Sequence, residues 1–143
     1  MCQNNEVPMD KIKQPKLLTL QEANALIPEL TILLKKLSAK KKEIETKQVE
    51  IDSLELILDE NSPKTQQELI SKSSQFNELV DEVKKIVNRL EDKGGYIKDL
   101  DLGLVDFFGM QDERVVYFCW CLGETEIKFW HEVGEGFANR REL

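Results

Sequence analysis

Apolar positions recur at steps of three and four through the middle of the chain. Leu30, Leu33, Leu37, Lys40, Ile44, Lys47, Ile51, Leu54 and Leu58 form one such stripe, with lysine at two of its places. This is a heptad-like helical face, and it predicts a helix over residues 28–59 about 48 Å long at 1.5 Å per residue. A second stripe follows at Leu69, Ser73, Phe76, Val80, Val83, Val87 and Leu90. Ser62 is placed to cap it and Pro63 to occupy its first turn, while Gly94-Gly95 ends it and Lys93 suits its negative end. Long helices joined by so short a break must lie antiparallel, and the small Ser73 allows them to approach closely.

Upstream, Thr19-Leu-Gln-Glu22 has the spacing of a capping box and starts a helix through Ala23 and Leu26. Pro28 cannot sit deep inside that helix, because it lacks an amide donor and clashes with the preceding turn. The chain should kink near residues 24–28 or end one helix and open another at Pro28.

Beyond Gly95 the period changes. Residues 96–108 read as short strand and turn, Gly109 to Glu113 as a turn, and residues 115–122 and 126–131 as two strands of a hairpin. A turn at Leu122–Thr125, or one residue displaced, gives the simplest register. It puts Tyr117, Cys119 and Cys121 on one face with Lys128 and Trp130. Val116, Phe118 and Trp120 then share the other face with Ile127, Phe129 and His131. A slip of one residue regroups these partners. Residues 134–141 read as a loop or irregular tail. The expected fold is α+β: a long antiparallel, coiled-coil-like helical hairpin with a small C-terminal antiparallel β-sheet. Its divisions are a disordered tail at 1–16, the helical hairpin at 17–95, and a β module at 96–143 packed on the open end of the helices.

The 143 residues suit one domain, and 33% charged residues agree with long solvated helices. A formal charge of −7 argues against a general nucleic-acid or anionic-membrane binder. Lys11, Lys13 and Lys16 are a weak basic cluster, interrupted by Asp10. No apolar run of spanning length is present, and residues 1–16 lack the features of a signal peptide, so a cytoplasmic protein is expected. Cys119 and Cys121 are two apart in a strand, with Cα atoms about 6.5–7 Å apart, the far limit for a disulfide. Free thiols are the expectation, with Cys2 in the tail.

Both tryptophans, the single histidine and two of the three cysteines lie between Val115 and Glu132. His131 is the residue best suited to chemistry, because its proton equilibrium lies near neutrality. In a structural role it would donate to a backbone carbonyl or to a carboxylate such as Glu124 or Asp106. In a metal site it would join Glu124, Glu132, Asp101 or Asp106 around a divalent ion, and Cys119 with His131 would suit zinc. His131 and Glu132 are adjacent and point to opposite faces, so both can ligate one ion only where the strand ends. As a catalytic set, Cys119 or Cys121 would be the nucleophile using His131, with Glu132 a further candidate of no assigned role. Asp99, Asp101 and Asp106 more naturally close turns beside glycine, and Arg140 and Arg141 pair with carboxylates. No phosphate loop, dinucleotide fingerprint, EF-hand or nucleic-acid module is present. The reading therefore leans away from an enzyme and expects no cofactor. It favours an interaction or scaffolding protein that dimerises, or binds a helical partner, through its exposed seam. The alternative is a small metal-binding protein or metal-dependent enzyme, with zinc as the ion.

The opening Leu18-Thr-Leu-Gln-Glu-Ala-Asn-Ala-Leu-Ile-Pro28 and the later Asp99-Leu-Asp-Leu-Gly-Leu-Val-Asp-Phe107 resemble the bacterial DUF2203 family of uncharacterised proteins. So do Cys119-Trp-Cys-Leu-Gly-Glu124, Trp130-His-Glu132 and Gly136-Phe137 with Arg140 or Arg141. The resemblance spans about residues 17–143. It implies that Asp101, Asp106, Cys119, Trp120, Gly123, Glu124, Trp130, His131, Glu132, Gly136 and Phe137 are the family's residues. Cys121 falls at a variable place, and Phe108 stands where the family usually has proline. The resemblance supports the fold and the C-terminal module and implies no reaction.

Overall fold

The structure, a computed structural model, describes residues 15–57 and 62–143. The expected disordered tail, the basic cluster at Lys11 and Lys13, Cys2 and the seam position Leu58 lie outside or partly outside these residues. The chain runs α1 (Leu20–Ala25), α2 (Ile27–Ile57), α3 (Pro63–Asp92), β1 (Gly95–Asp99), β2 (Leu104–Gln111), β3 (Arg114–Cys121), β4 (Phe129–Glu132) and β5 (Arg141–Glu142).

Thr19 caps α1 through the reciprocal box, accepting from the Glu22 amide while the Glu22 carboxylate accepts from the Thr19 amide. Leu26 ends α1, and α2 opens with Pro28 in its first turn, where a missing donor costs little. Of the two outcomes expected at Pro28, a new helix is the one found.

Helices α2 and α3 are antiparallel. Glu29 pairs with Arg89 and Lys93, Lys40 with Glu82, and Glu50 with Lys72, so partners on α3 descend as α2 ascends. The seam lysines are half-buried: Lys40 answers Glu82 and Lys47 answers Glu50. Their stems cover apolar surface while their ammonium groups stay partly solvated. The proximal seam is dry at Leu30, Leu33, Leu34, Leu37 and Leu90, and farther along α2 Ile51 is buried as well. After α3, Gly94 takes a left-handed φ of +101° that a side chain would strain, and the strands begin at once.

The sheet is larger than expected. Five strands form an antiparallel meander in the order β1-β2-β3-β4-β5. Gly109–Gln111 continue β2 and do not form a turn. The reversal is made by Asp112 and Glu113 alone, both at positive φ (48° and 66°), as a two-residue hairpin requires. The tail also contributes, because Arg141 and Glu142 pair with Trp130 and Phe129. Phe108 lies within β2, and its carbonyl accepts from the Leu18 amide at 2.8 Å.

The β3–β4 register differs by one residue from the simplest one. Tyr117 faces His131, Phe118 faces Trp130, and Cys119 faces Phe129. The cause is the connection. Glu124 closes a turn on the Cys121 carbonyl, but the following residues leave the sheet. The Ile127 amide donates to Asn24 on α1 at 2.7 Å, and the Ile127 side chain is buried in the core. Pairing resumes at Phe129 and not at residue 126, so Tyr117, Cys119, Phe129 and His131 share one face. The opposite face carries Val105, Phe107, Val116, Phe118, Trp120 and Trp130. These residues join Leu30, Leu34, Leu37 and Leu90 in a single core cluster. The sheet thus buries one face on the proximal helices and turns the other away from them.

Candidate metal centre

That outer face contains a polar cluster as dry as the core. Asp106 on β2 is 3% exposed, Cys119 on β3 1%, and His131 on β4 2%. Strand alternation accounts for the grouping. Asp106 stands opposite Cys119 across the β2–β3 ladder, and His131 stands opposite Tyr117, the next residue on that face of β3. The chain then returns over the cluster. Arg140 lies between the Phe129 and Phe137 rings, 4.0 and 4.2 Å from their centroids, and pairs with Glu124 at 3.3 Å.

His131 is held at both nitrogens. Nδ1 lies 3.0 Å from the Glu132 carbonyl oxygen, and Nε2 lies 3.0 Å from Asp106 Oδ2. A carbonyl can only accept, so Nδ1 is the donor there, which leaves Nε2 facing the carboxylate. Cys119 completes the group: one donor atom from each of Asp106, Cys119 and His131 lies within 4.8 Å of the other two. Burial first, and then the neighbouring Asp106 carboxylate, push the Cys119 thiol up to about 12, outweighing the opposite pull of Arg140. The thiol is therefore protonated at neutral pH, and nucleophilic chemistry there is disfavoured. The slipped register does bring Cys119 and His131 to one face, but Nδ1 bonds the Glu132 carbonyl and Nε2 faces Asp106 and not the thiol. Cys121 is half-buried, its thiol is also raised chiefly by burial, and its Sγ lies 3.3 Å from the Leu102 carbonyl.

The other candidates are elsewhere. Asp101 is exposed and pairs with Lys41 at 2.7 Å. Glu124 accepts from the Cys121 amide at 2.9 Å and binds Arg140, so it closes the hairpin turn. Glu132 pairs with Arg114 at 2.9 Å and serves the cluster through its carbonyl. Asp99 accepts from the Leu102 amide, the turn role expected of it. The single-face grouping of Asp106 with Cys119 and His131 is legible only once the register is known.

A model of one protein family matches residues 16–143, nearly the whole chain. The chain belongs to DUF2203, a family of uncharacterized conserved proteins. Comparison with curated proteins and with solved structures gives no match. The family motif residues of this DUF2203 chain have distinct duties. Cys119 and His131 meet Asp106, while Trp120 is fully buried and its indole donates to the Glu124 carbonyl at 2.9 Å. Glu124 and Arg140 hold the closing segment. Residues 134–137, Lys98, Leu104 and Tyr117 line a cavity of roughly 380 Å³ that reaches all three donors. Lys98 and Glu135 were not singled out from sequence, and their link to the site is tertiary. No helix is long and apolar enough to cross a membrane among the described residues.

Proposed function

We propose that Asp106, Cys119 and His131 are the protein ligands of a divalent metal ion, and that zinc is the ion their donors suit best. The observation that carries this reading is the convergence of imidazole, thiol and carboxylate within 4.8 Å on a buried sheet face. Nitrogen, sulfur and oxygen donors of this kind are zinc's usual partners, and three of them leave a fourth position for water or a ligand. The Nδ1 donation to the Glu132 carbonyl is the support a metal-bound histidine needs, because it fixes the ring and directs Nε2 to the ion. The thiolate and the carboxylate would neutralise the two charges of the ion. Cobalt titration of protein purified without chelator tests the site. Stoichiometric uptake should bring an intense thiolate-to-cobalt charge-transfer absorption that Cys119→Ser abolishes. Absence of that band in the native chain would refute the assignment.

A second reading concerns the distal hairpin. Val49 and Leu56 on α2 and Ile70 on α3 are large apolar side chains left exposed. They favour self-association or a helical partner, which burial of this surface would stabilise. A monomer by light scattering at high protein concentration, with unchanged mass after Leu56→Lys, would argue against it.

A further inference from the structure

The cavity beside the three donors has an uneven charge balance. Glu135 lines it, but its carboxylate accepts from the Glu132 amide at 3.3 Å and faces Arg141 at 3.7 Å. Arg140 is answered by Glu124, and Glu132 by Arg114. Lys98, also in the lining, has no such partner. Its ammonium stands 4.7 Å from the Tyr117 ring centroid, and no carboxylate of the described residues lies within ion-pairing distance. The Tyr117 ring in turn lies 5.3 Å from the His131 ring, so Lys98, Tyr117 and His131 form one row across the sheet face. The remaining walls include apolar Leu104 and Phe137. A volume of roughly 380 Å³ is at the small end for ligand sites, which begin at about 300 Å³.

We propose that this cavity receives a small monocarboxylate with an apolar body, its carboxylate directed to the metal position and to Lys98. The assignment rests on the metal reading above. With a divalent ion balanced by Cys119 and Asp106, the single uncompensated charge that the described residues turn to the cavity is that of Lys98. One negative charge completes it, and a dianion would overshoot. Tyr117, Leu104 and Phe137 then supply surface for the rest of the ligand. Neutral compounds of the same shape would leave the lysine unanswered.

The test uses the full chain loaded with cobalt, titrated with benzoate and with benzamide as its neutral isostere, and followed by the visible cobalt spectrum. Benzoate should shift the spectrum saturably and benzamide should not. Lys98→Met should weaken benzoate about tenfold and flatten its salt dependence, while Lys98→Arg keeps most of the affinity. The spectrum without benzoate should be the same in all three proteins, which shows that the site is intact. Equal benzoate affinity in native and Lys98→Met protein, or equal binding of benzamide, overturns the ligand assignment and leaves the metal reading standing. Failure of the native chain to take up cobalt overturns both.

Discussion

His131 Nε2 and Asp106 Oδ2 meet at 3.0 Å although a whole strand lies between them. Asp106 is on β2 and His131 on β4, and their side chains arch over β3 beside Cys119. Neighbouring strands lie about 4.8 Å apart, so the contact spans two strand spacings and needs both side chains to lean inward over the cysteine. A hydrogen bond that crosses the middle strand fixes three strands at once. It also brings the carboxylate and the imidazole to the same side of one thiol.

Metal binding at this cluster should release about one proton at neutral pH. It comes from the Cys119 thiol, which burial and Asp106 hold protonated. A raised thiol favours the protonated form in the metal-free protein, so metal must compete with protons and its affinity must rise with pH. The expected slope is about tenfold per pH unit for each proton released. Zinc added to weakly buffered protein containing an indicator dye measures the release directly. Uptake without acidification would contradict the assignment of Cys119 as a ligand.

Much of this arrangement is legible in the chain before folding, but the decisive step is not. The helical stripes, the capping box at Thr19 and the stop at Gly94 follow from local spacing and backbone sterics, and each appears where the residues direct it, while at Pro28 the same sterics leave both a kink and a new helix open. Of the neighbours expected for His131, a backbone carbonyl and Asp106 are found, while Glu124 is turned to the Cys121 amide and Arg140. The β3–β4 register fails because it is set by a tertiary contact. Asn24, about a hundred residues upstream, captures the Ile127 amide and lengthens the connection. No period within residues 115–132 encodes that contact. The same slip moves Cys119 to the side of His131, so the three-donor cluster is hidden until α1 is docked. The small sheet expected from the last third grows for a related reason. Arg140 wedged between Phe129 and Phe137 draws the tail back until Arg141 can pair with β4.

Removing one member of the Asp106–His131 pair should cost more than removing both. In metal-free protein, His131→Phe leaves a carboxylate in a site 3% exposed, with its imidazole partner gone. Breaking a buried pair in this way typically costs about 3–5 kcal/mol, whereas replacing both partners with apolar groups of similar volume is often neutral. The double variant Asp106→Leu/His131→Phe should therefore recover much of the stability lost by the single one. Urea unfolding with chelator present, arranged as a double-mutant cycle, gives the coupling. Additive losses would mean that the pair is not energetically connected.

The β2–β3 ladder depends on one missing side chain. A Cβ built at Gly109 would lie 2.1 Å from the Phe118 ring, which is itself in the core cluster and 3% exposed. Neither atom can withdraw without moving a strand. Gly109→Ala should destabilise by about 1–3 kcal/mol through overpacking. Combining it with Phe118→Leu should restore part of the loss, because the leucine lacks the ring edge that meets the added methyl. Thermal unfolding of the two variants separates this steric account from a simple loss of glycine flexibility, which the second substitution would not repair.

The proximal end of the helical hairpin should weaken in acid through Glu29. The Lys93 ammonium, and then Arg89, hold the Glu29 carboxyl below its ordinary range, and both cations come from the last turn of α3 or its cap. A carboxylate with a depressed folded value contributes stability that is fully present above its unfolded value. That contribution disappears as pH falls through the lower, folded value. The effect should therefore be absent at neutrality, appear only below the usual carboxylate range, and shrink with salt because the group is solvent-screened. Glu29→Gln should be less stable than the native chain near neutral pH and indistinguishable from it in strong acid. Urea midpoints measured from pH 7 downward, at low and high salt, would show the two curves converging. Parallel curves across that range would mean that the Glu29 pairs add nothing to the docking of α2 on α3.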